Sequence, residues 1–426
     1  MKNPVSRGAR AVVAAITASF LLPVTAAAVP VLPGSSSLSA ELSSGKPAVP
    51  EPSWVGSWSA AQTPPGEEGT VSGDGFTDTT LRQTAHLSIG GDSLRLRVSN
   101  EYGEEPLEIG AATVAPGSAT GEIDPAQVQD VTFDRNESVT IPPGEEWLSD
   151  PLHMGVEPNS NLVVSLHLPG PTGPATTHPL GMATSYRASG DATGAETAEF
   201  EELDDSRYFL SGVDVSSAAQ GSVVFFGDSI TDGHSSTVDA NLRYPDQVAD
   251  RLLERPEEQQ CGVLNSGISG NHLLRDDGTK GVAAMSRFEE DVLNQPGVHT
   301  VVLLEGINDI GNSEGEVEPE ELIEVYRQFI EQAHDHGIRV VGATMTPYED
   351  ADYYTEAGEA DRLAVNEWIR NSGEFDDIVD YEAAVRDPEQ PSRLLPEFDP
   401  GDKLHPNDQG YAAMAEQLNL ETICAS

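Results

Sequence analysis

A change of rhythm near residue 217 constrains this chain more than any other feature of its 426 residues. Between Trp54 and Val215, short alternating segments broken by Gly, Pro, Asn and Asp follow one another. Examples are Thr84 to Ile89, Ser93 to Ser99, Glu108 to Val114, Glu137 to Ile141 and Leu162 to Leu168. In Leu94-Arg95-Leu96-Arg97-Val98 a strand would put the three apolar side chains on one face and the arginines on the other, the pattern of a half-buried antiparallel strand. Many such strands with regular turn signals predict an all-β sandwich of jelly-roll type over residues 53–216.

Beyond Ser217 the pattern changes. Ser222-Val223-Val224-Phe225-Phe226 is a continuous apolar run ending in Gly, as expected of a strand covered on both faces, and Tyr244 to Leu253 has helical spacing. Val263 to Asn265, Thr300 to Leu304, Arg339 to Ala343 and Asp377 to Asp380 repeat the short-strand theme. Helical stretches, Pro319 to His334 and Glu359 to Arg370 among them, lie between. Strands alternating with helices predict an α/β domain over residues 217–426. It would hold a parallel sheet wrapped on both sides, with chemistry at the carboxyl ends of its strands.

The amino terminus reads as an address. Lys2, Arg7 and Arg10 precede an apolar stretch from Ala11 to about Leu22, and Thr25-Ala26-Ala27-Ala28 offers the small residues of a cleavage site. Residues 1–28 are expected to be a secretory signal peptide and 29–52, rich in Ser, Pro and Ala, a linker, with the released protein extracellular and without a stable membrane anchor. Export permits a disulfide between the only two cysteines, Cys261 and Cys424, with two separate buried thiols as the alternative.

Charge narrows the choice of partners. The 71 acidic against 23 basic residues give a formal charge of −48, a field that repels phosphate backbones and anionic lipid headgroups alike. Nucleic acid is therefore not expected as a partner, and a saline habitat is one setting that suits such a surface.

Four loci carry the candidate chemistry. Gly227-Asp228-Ser229-Ile230-Thr231 follows the first parallel strand, where a serine hydroxyl at a sharp exit turn suits a nucleophile, although Gly-Asp-Ser is also a common turn. A serine needs a base and the base an orienting acceptor. Asp402 and His405, three apart in one turn, supply both, unless they simply precede the last helix. An oxyanion needs donors. Gly270, after the second strand, could present its amide, and Asn308, after the third, its side chain, each also explicable by turn chemistry. His234 could touch substrate or be an exposed helix-start residue, Asp228 reads as a loop-bracing acceptor, and Thr346-Pro347-Tyr348 as a candidate cleft lining. His86, His153, His167 and His178 share no metal spacing and read as solvated or core residues.

In this order, Ser229, Gly270, Asn308 and His405 resemble the four signature blocks of the SGNH hydrolases, also called the GDSL lipases and esterases, over roughly Gly221 to Leu420. The resemblance implies a three-layer flavodoxin-like domain and a Ser229–His405–Asp402 triad. It also implies an oxyanion hole of the Ser229 and Gly270 amides with Asn308, and no metal or cofactor. The first block reads Gly-Asp-Ser-Ile here instead of Gly-Asp-Ser-Leu. The run from Leu303 to Gly311, with Trp54-Val55-Gly56-Ser57-Trp58, is similar to a branch that includes polysaccharide-associated esterases. The expected activity is a serine ester hydrolase acting on short acyl esters, acetyl among them, of small molecules or polysaccharides. An extracellular lipase or arylesterase is the rival enzyme, and a carbohydrate- or surface-binding protein with a vestigial hydrolase domain the rival of another class. Oligomeric state stays open.

Overall fold

The computed structural model describes residues 53–196, 199–313 and 316–424. The expected signal peptide and linker lie outside the described residues. From Ser53 to Ser217 nearly all regular structure is antiparallel strand. A four-stranded sheet holds Ser53–Ser59, Leu210–Ser217, Leu94–Ser99 and Glu146–Leu148 in that order. A six-stranded sheet runs Glu201–Asp204, Ser185–Ser189, Thr79–Leu87, Ser160–Leu168, Ala111–Gly117, Gln129–Val131. Val55, Leu96 and Val213 of the first and Leu81, Val164 and Leu166 of the second meet in one core, each burying the apolar alternation of its strand.

The arginine face of Leu94–Ser99 departs from expectation. Arg97 is buried, shares Asp214 with Arg95, and donates 2.7 Å to the Gln295 side chain of the C-terminal half. The strand is covered on both faces because the second half packs against it, which an alternating pattern cannot reveal.

The C-terminal half is built on a five-stranded parallel sheet: Gly262–Gly267, Ser222–Gly227, Val298–Leu304, Arg339–Ala343 and Asp377–Val379, in spatial order 2-1-3-4-5. The first strand is apolar throughout because both faces are covered. Val223 and Phe225 enter a core with the helices Tyr244–Leu253 and Asp408–Gln417. Val224 and Phe226 enter another with Pro319–Asp335 and Glu356–Asn371. This order reverses direction between the first and third strands, and ligands in such sheets bind where it reverses, beyond the strands' carboxyl ends.

From Ser53 onward the described residues pack as one compact unit. Strand Ser53–Ser59 lies against Gly262–Gly267, and two glycines permit the approach: a Cβ on Gly262 would fall 2.0 Å from the Gly56 carbonyl oxygen. Ser59 Oγ donates to the Asn265 carbonyl at 3.1 Å, and Val263 N–H to Ser88 Oγ at 2.9 Å. Cys261 and Cys424 form a disulfide that ties the entrance of the second parallel strand to the end of the chain's last helix, Leu420–Ile423. Among the described residues no helix is long and apolar enough to cross a membrane.

Candidate active site

Ser229 is the first residue of a one-turn helix, Ser229–Asp232, that leaves the carboxyl end of the central strand. Asp228 caps it, accepting the Ile230 N–H at 2.9 Å, and Gly233, at φ 101°, closes it by donating to the Ser229 carbonyl. The loop before Asp408–Gln417 brings the other two groups. Lys403 adopts φ 67°, folding Asp402 back over its own turn so that Asp402 Oδ1 accepts the N–H groups of Leu404 and His405, each at 3.0 Å. Asp402 Oδ2 then lies 2.7 Å from His405 Nδ1, and His405 Nε2 lies 2.8 Å from Ser229 Oγ. A carboxylate only accepts, so Nδ1 carries the proton and Nε2 is free to accept from the serine. Partial burial pulls the Asp402 carboxyl up, but the hydrogen bonds from His405 and the backbone hold it well below the usual carboxylate range.

Gly270 and Asn308 sit on two segments joined to each other through Asn271 and Asp309. Gly270 has φ +80°, a conformation that favours glycine. Asn308, in the short helix Ile307–Gly311, donates one side-chain hydrogen to the Asn271 carbonyl at 3.0 Å, which leaves its second free. Asp309 accepts the N–H groups of Leu273 and Leu274 at 2.8 and 3.0 Å, locking the two loops together.

Arg287, which no sequence motif singled out, braces this frame from below. It donates to Asn271 Oδ1 at 2.9 Å and to the carbonyls of Ser266 and Gly227 at 2.8 and 2.9 Å, and it pairs with Asp291 at 2.8 Å. Its plane also lies 4.0 Å from the Phe226 ring centroid, a cation–π arrangement. Asn271 thus holds Asn308 through its carbonyl and is itself held by Arg287 through its side chain.

His234 is not a helix-start residue. Its ring stacks on His405, centroids 4.1 Å apart and planes 30° apart, and burial with the neighbouring imidazole pushes its protonation down. His234, Asp402 and His405 bring their ligand atoms within 4.8 Å of one another. Imidazole lone pairs lie in the ring plane, so stacked rings point theirs side by side, and Asp402 is already bonded to His405. Tyr348 is fully buried in the core, packed edge-on against Tyr354 and tilted against Tyr353, so the expected cleft lining does not hold for it.

Residues 225–413 match the family model described as the GDSL-like lipase/acylhydrolase family. The chain carries a GDSL-like lipase/acylhydrolase domain. It is accordingly a carboxylic ester hydrolase. Solved structures similar to this chain include a GDSL-like lipase from Bacteroides thetaiotaomicron, 23% identical, covering 46% of this chain and 84% of that one with a TM-score of 0.34. An acetyl xylan esterase is 25% identical over 46% of this chain and 96% of its own, TM-score 0.35. An acetylxylan esterase from Geobacillus stearothermophilus is 21% identical over 47% and 92%, TM-score 0.37. No curated protein matches the chain.

Asp232 escaped the sequence reading, and His178, expected to be a solvated or core histidine, is buried with a partner that reading did not foresee. Asp232 closes the turn that begins with Ser229, and its two oxygens face Ser269 N–H at 2.8 Å and His178 Nε2 at 2.9 Å. His178 belongs to the antiparallel half, 54 residues earlier, a distance that no local motif spans.

Proposed function

We propose that this is a secreted serine esterase that removes short acyl groups, acetyl among them, from small esters or acylated polysaccharides. Ser229 Oγ attacks the acyl carbonyl while His405 Nε2 takes its proton. Asp402 holds the tautomer and stabilises the imidazolium that forms. The oxyanion is met by the N–H groups of Ser229 and Gly270 and by the free hydrogen of Asn308 Nδ2. His405 returns the proton to the leaving alcohol, then deprotonates the water that attacks the acyl-serine, and gives that proton to Ser229 Oγ as the acid departs.

The observation that carries this reading is the unbroken chain from Ser229 Oγ through both nitrogens of His405 to Asp402, at 2.8 and 2.7 Å. Every proton transfer of the cycle has an acceptor in it. Support for short acyl groups comes from the surface. The large exposed apolar side chains among the described residues, Leu148, Val238, Leu274, Leu363 and Ile378, fall on five separate segments, so no one of these helices, strands or loops carries the amphipathic apolar face of a lipase lid. Within this reading residues 1–28 are a signal peptide, 29–52 a linker, 53–216 a jelly-roll-like domain and 217–426 a flavodoxin-like hydrolase domain.

The test is a series of p-nitrophenyl acetate, butyrate, octanoate and laurate, with acid release from acetylated xylan, acetylated pectin and a triglyceride alongside. The account expects kcat/KM highest for acetate or butyrate and acetate release from at least one polysaccharide. A maximum at laurate with activity on the triglyceride would overturn it in favour of a lipase.

A further inference from the structure

We infer that His178, contributed by the antiparallel half, is a positioning residue for the oxyanion-binding loop of the esterase site. The inference rests on the roles proposed above for Ser229 and Gly270. His178 ends the two-residue strand Thr177–His178 and is buried. Both its ring nitrogens meet acceptors. Nδ1 lies 2.8 Å from the Ala61 carbonyl oxygen, while Nε2 lies 2.9 Å from Asp232 Oδ1 and 3.2 Å from the Leu180 carbonyl oxygen. A neutral imidazole has one N–H, so only the imidazolium satisfies both sides. Burial alone would discharge the ring, but the Asp232 charge and the hydrogen bonds to Asp232 and Ala61 outweigh it and raise its protonation above the ordinary histidine range. Arg243 opposes this charge, and Asp291 is a further carboxylate within electrostatic reach.

Asp232 gives the pair its consequence. The Asp232 side chain is 2% exposed, and its second oxygen accepts the Ser269 N–H at 2.8 Å, one residue before Gly270. Gly270, at φ +80°, follows directly, and the bond to the Ser269 N–H anchors the residue that leads into it. A single carboxylate thus joins the serine turn to the oxyanion loop, and His178 fixes its orientation. With His178 removed, one buried oxygen of Asp232 loses its partner, at a cost that favours rotation of the carboxylate and release of Ser269. An oxyanion donor acts on charge that develops only in the transition state, so its displacement lowers kcat and leaves KM nearly unchanged.

The experiment compares full-chain wild type, His178→Ala, His178→Gln, Ser88→Ala and Ser229→Ala for kcat and KM on p-nitrophenyl acetate, with thermal unfolding of each. A displacement of about 1 Å is worth up to ~10²-fold, so His178→Ala is expected to lose ~10–100-fold in kcat with KM within about twofold. His178→Gln should recover part of that, since its amide can donate to Asp232 but its carbonyl cannot donate to Ala61. Ser88→Ala removes an acceptor elsewhere in the same interface and should lower Tm without lowering kcat. Wild-type kcat in both His178 variants, an equal kcat loss in Ser88→Ala, or an effect confined to KM would each overturn the inference. Should His178→Ala not fold, a kcat for folded His178→Gln equal to wild type overturns it and a reduced kcat supports it. Full activity in Ser229→Ala would instead overturn the serine reading itself, so the two failures are distinguishable.

Discussion

Asp228 combines two roles that pull its charge in opposite directions. Its carboxylate caps the turn that starts at Ser229, yet it is fully buried, and burial raises its proton affinity, with Asp309 adding to the effect while the Ile230 N–H, His405 and Arg287 oppose it. A carboxyl whose folded pKa lies above its unfolded value contributes stability that is complete at acid pH and is lost as pH rises through the folded value. Asp309, pushed up to about 6 by burial against the N–H groups of Leu273 and Leu274, acts in the same direction. His272 and His299, pushed down to about 4 by burial, act oppositely: their contribution is complete above the ordinary histidine range and is lost as pH falls towards 4. Asp228→Asn keeps an acceptor for the Ile230 N–H and removes the charge. Thermal unfolding should therefore show it gaining Tm over wild type at about pH 8, and gaining less at about pH 4.5, by the linkage relation. A gain equal at both values, or larger in acid, would contradict this assignment.

Among the elements, helices and strands of the C-terminal half begin and end close to where apolar spacing placed them, since each buries a face in one of two cores. Tyr244–Leu253 and Arg339–Ala343 coincide with expectation, whereas Glu356–Asn371 starts three residues before the expected Glu359. Thr355 explains the difference: its side chain caps Gly358 N–H at 2.9 Å, ahead of the first apolar position. The disulfide belongs to this scale as well. It closes a loop of 163 residues between two elements that pack in the same core, and in the loop-entropy model it stabilises by about 5 kcal/mol. Cys261→Ser is expected to lower the denaturant midpoint while leaving kcat unchanged wherever the protein remains folded. An unchanged midpoint would show that the closed loop contributes nothing to stability.

For the whole molecule, the excess of carboxylates is the dominant long-range term. Raising NaCl from about 0.01 to about 1 M shortens the screening length from about 30 to about 3 Å, and a formal charge of −48 predicts a Tm that rises across that range. A Tm falling steadily with salt would contradict the prediction. The division into antiparallel and parallel halves was legible because short alternating segments fill the first half, whereas continuous apolar runs interleaved with helical spacing fill the second. Ser229, Gly270, Asn308, Asp402 and His405 each had a turn or cap reading beside the chemical one, and only their order along the chain singled them out. What was illegible lies between elements. The burial of Arg97 against Gln295, the stack of His234 on His405, the brace of Arg287, 60 residues from the Gly227 carbonyl it holds, and the pairing of His178 with Asp232 all depend on packing that no spacing encodes. The central claim is that Ser229 and His405 act as one unit. Hydrolysis of p-nitrophenyl acetate by wild type, Ser229→Ala, His405→Ala and the double variant tests it most directly. The account predicts at least ~10³-fold lower kcat in each single variant and no further loss in the double, as for residues acting together. Single variants as fast as wild type, or losses that multiply in the double variant, would contradict it.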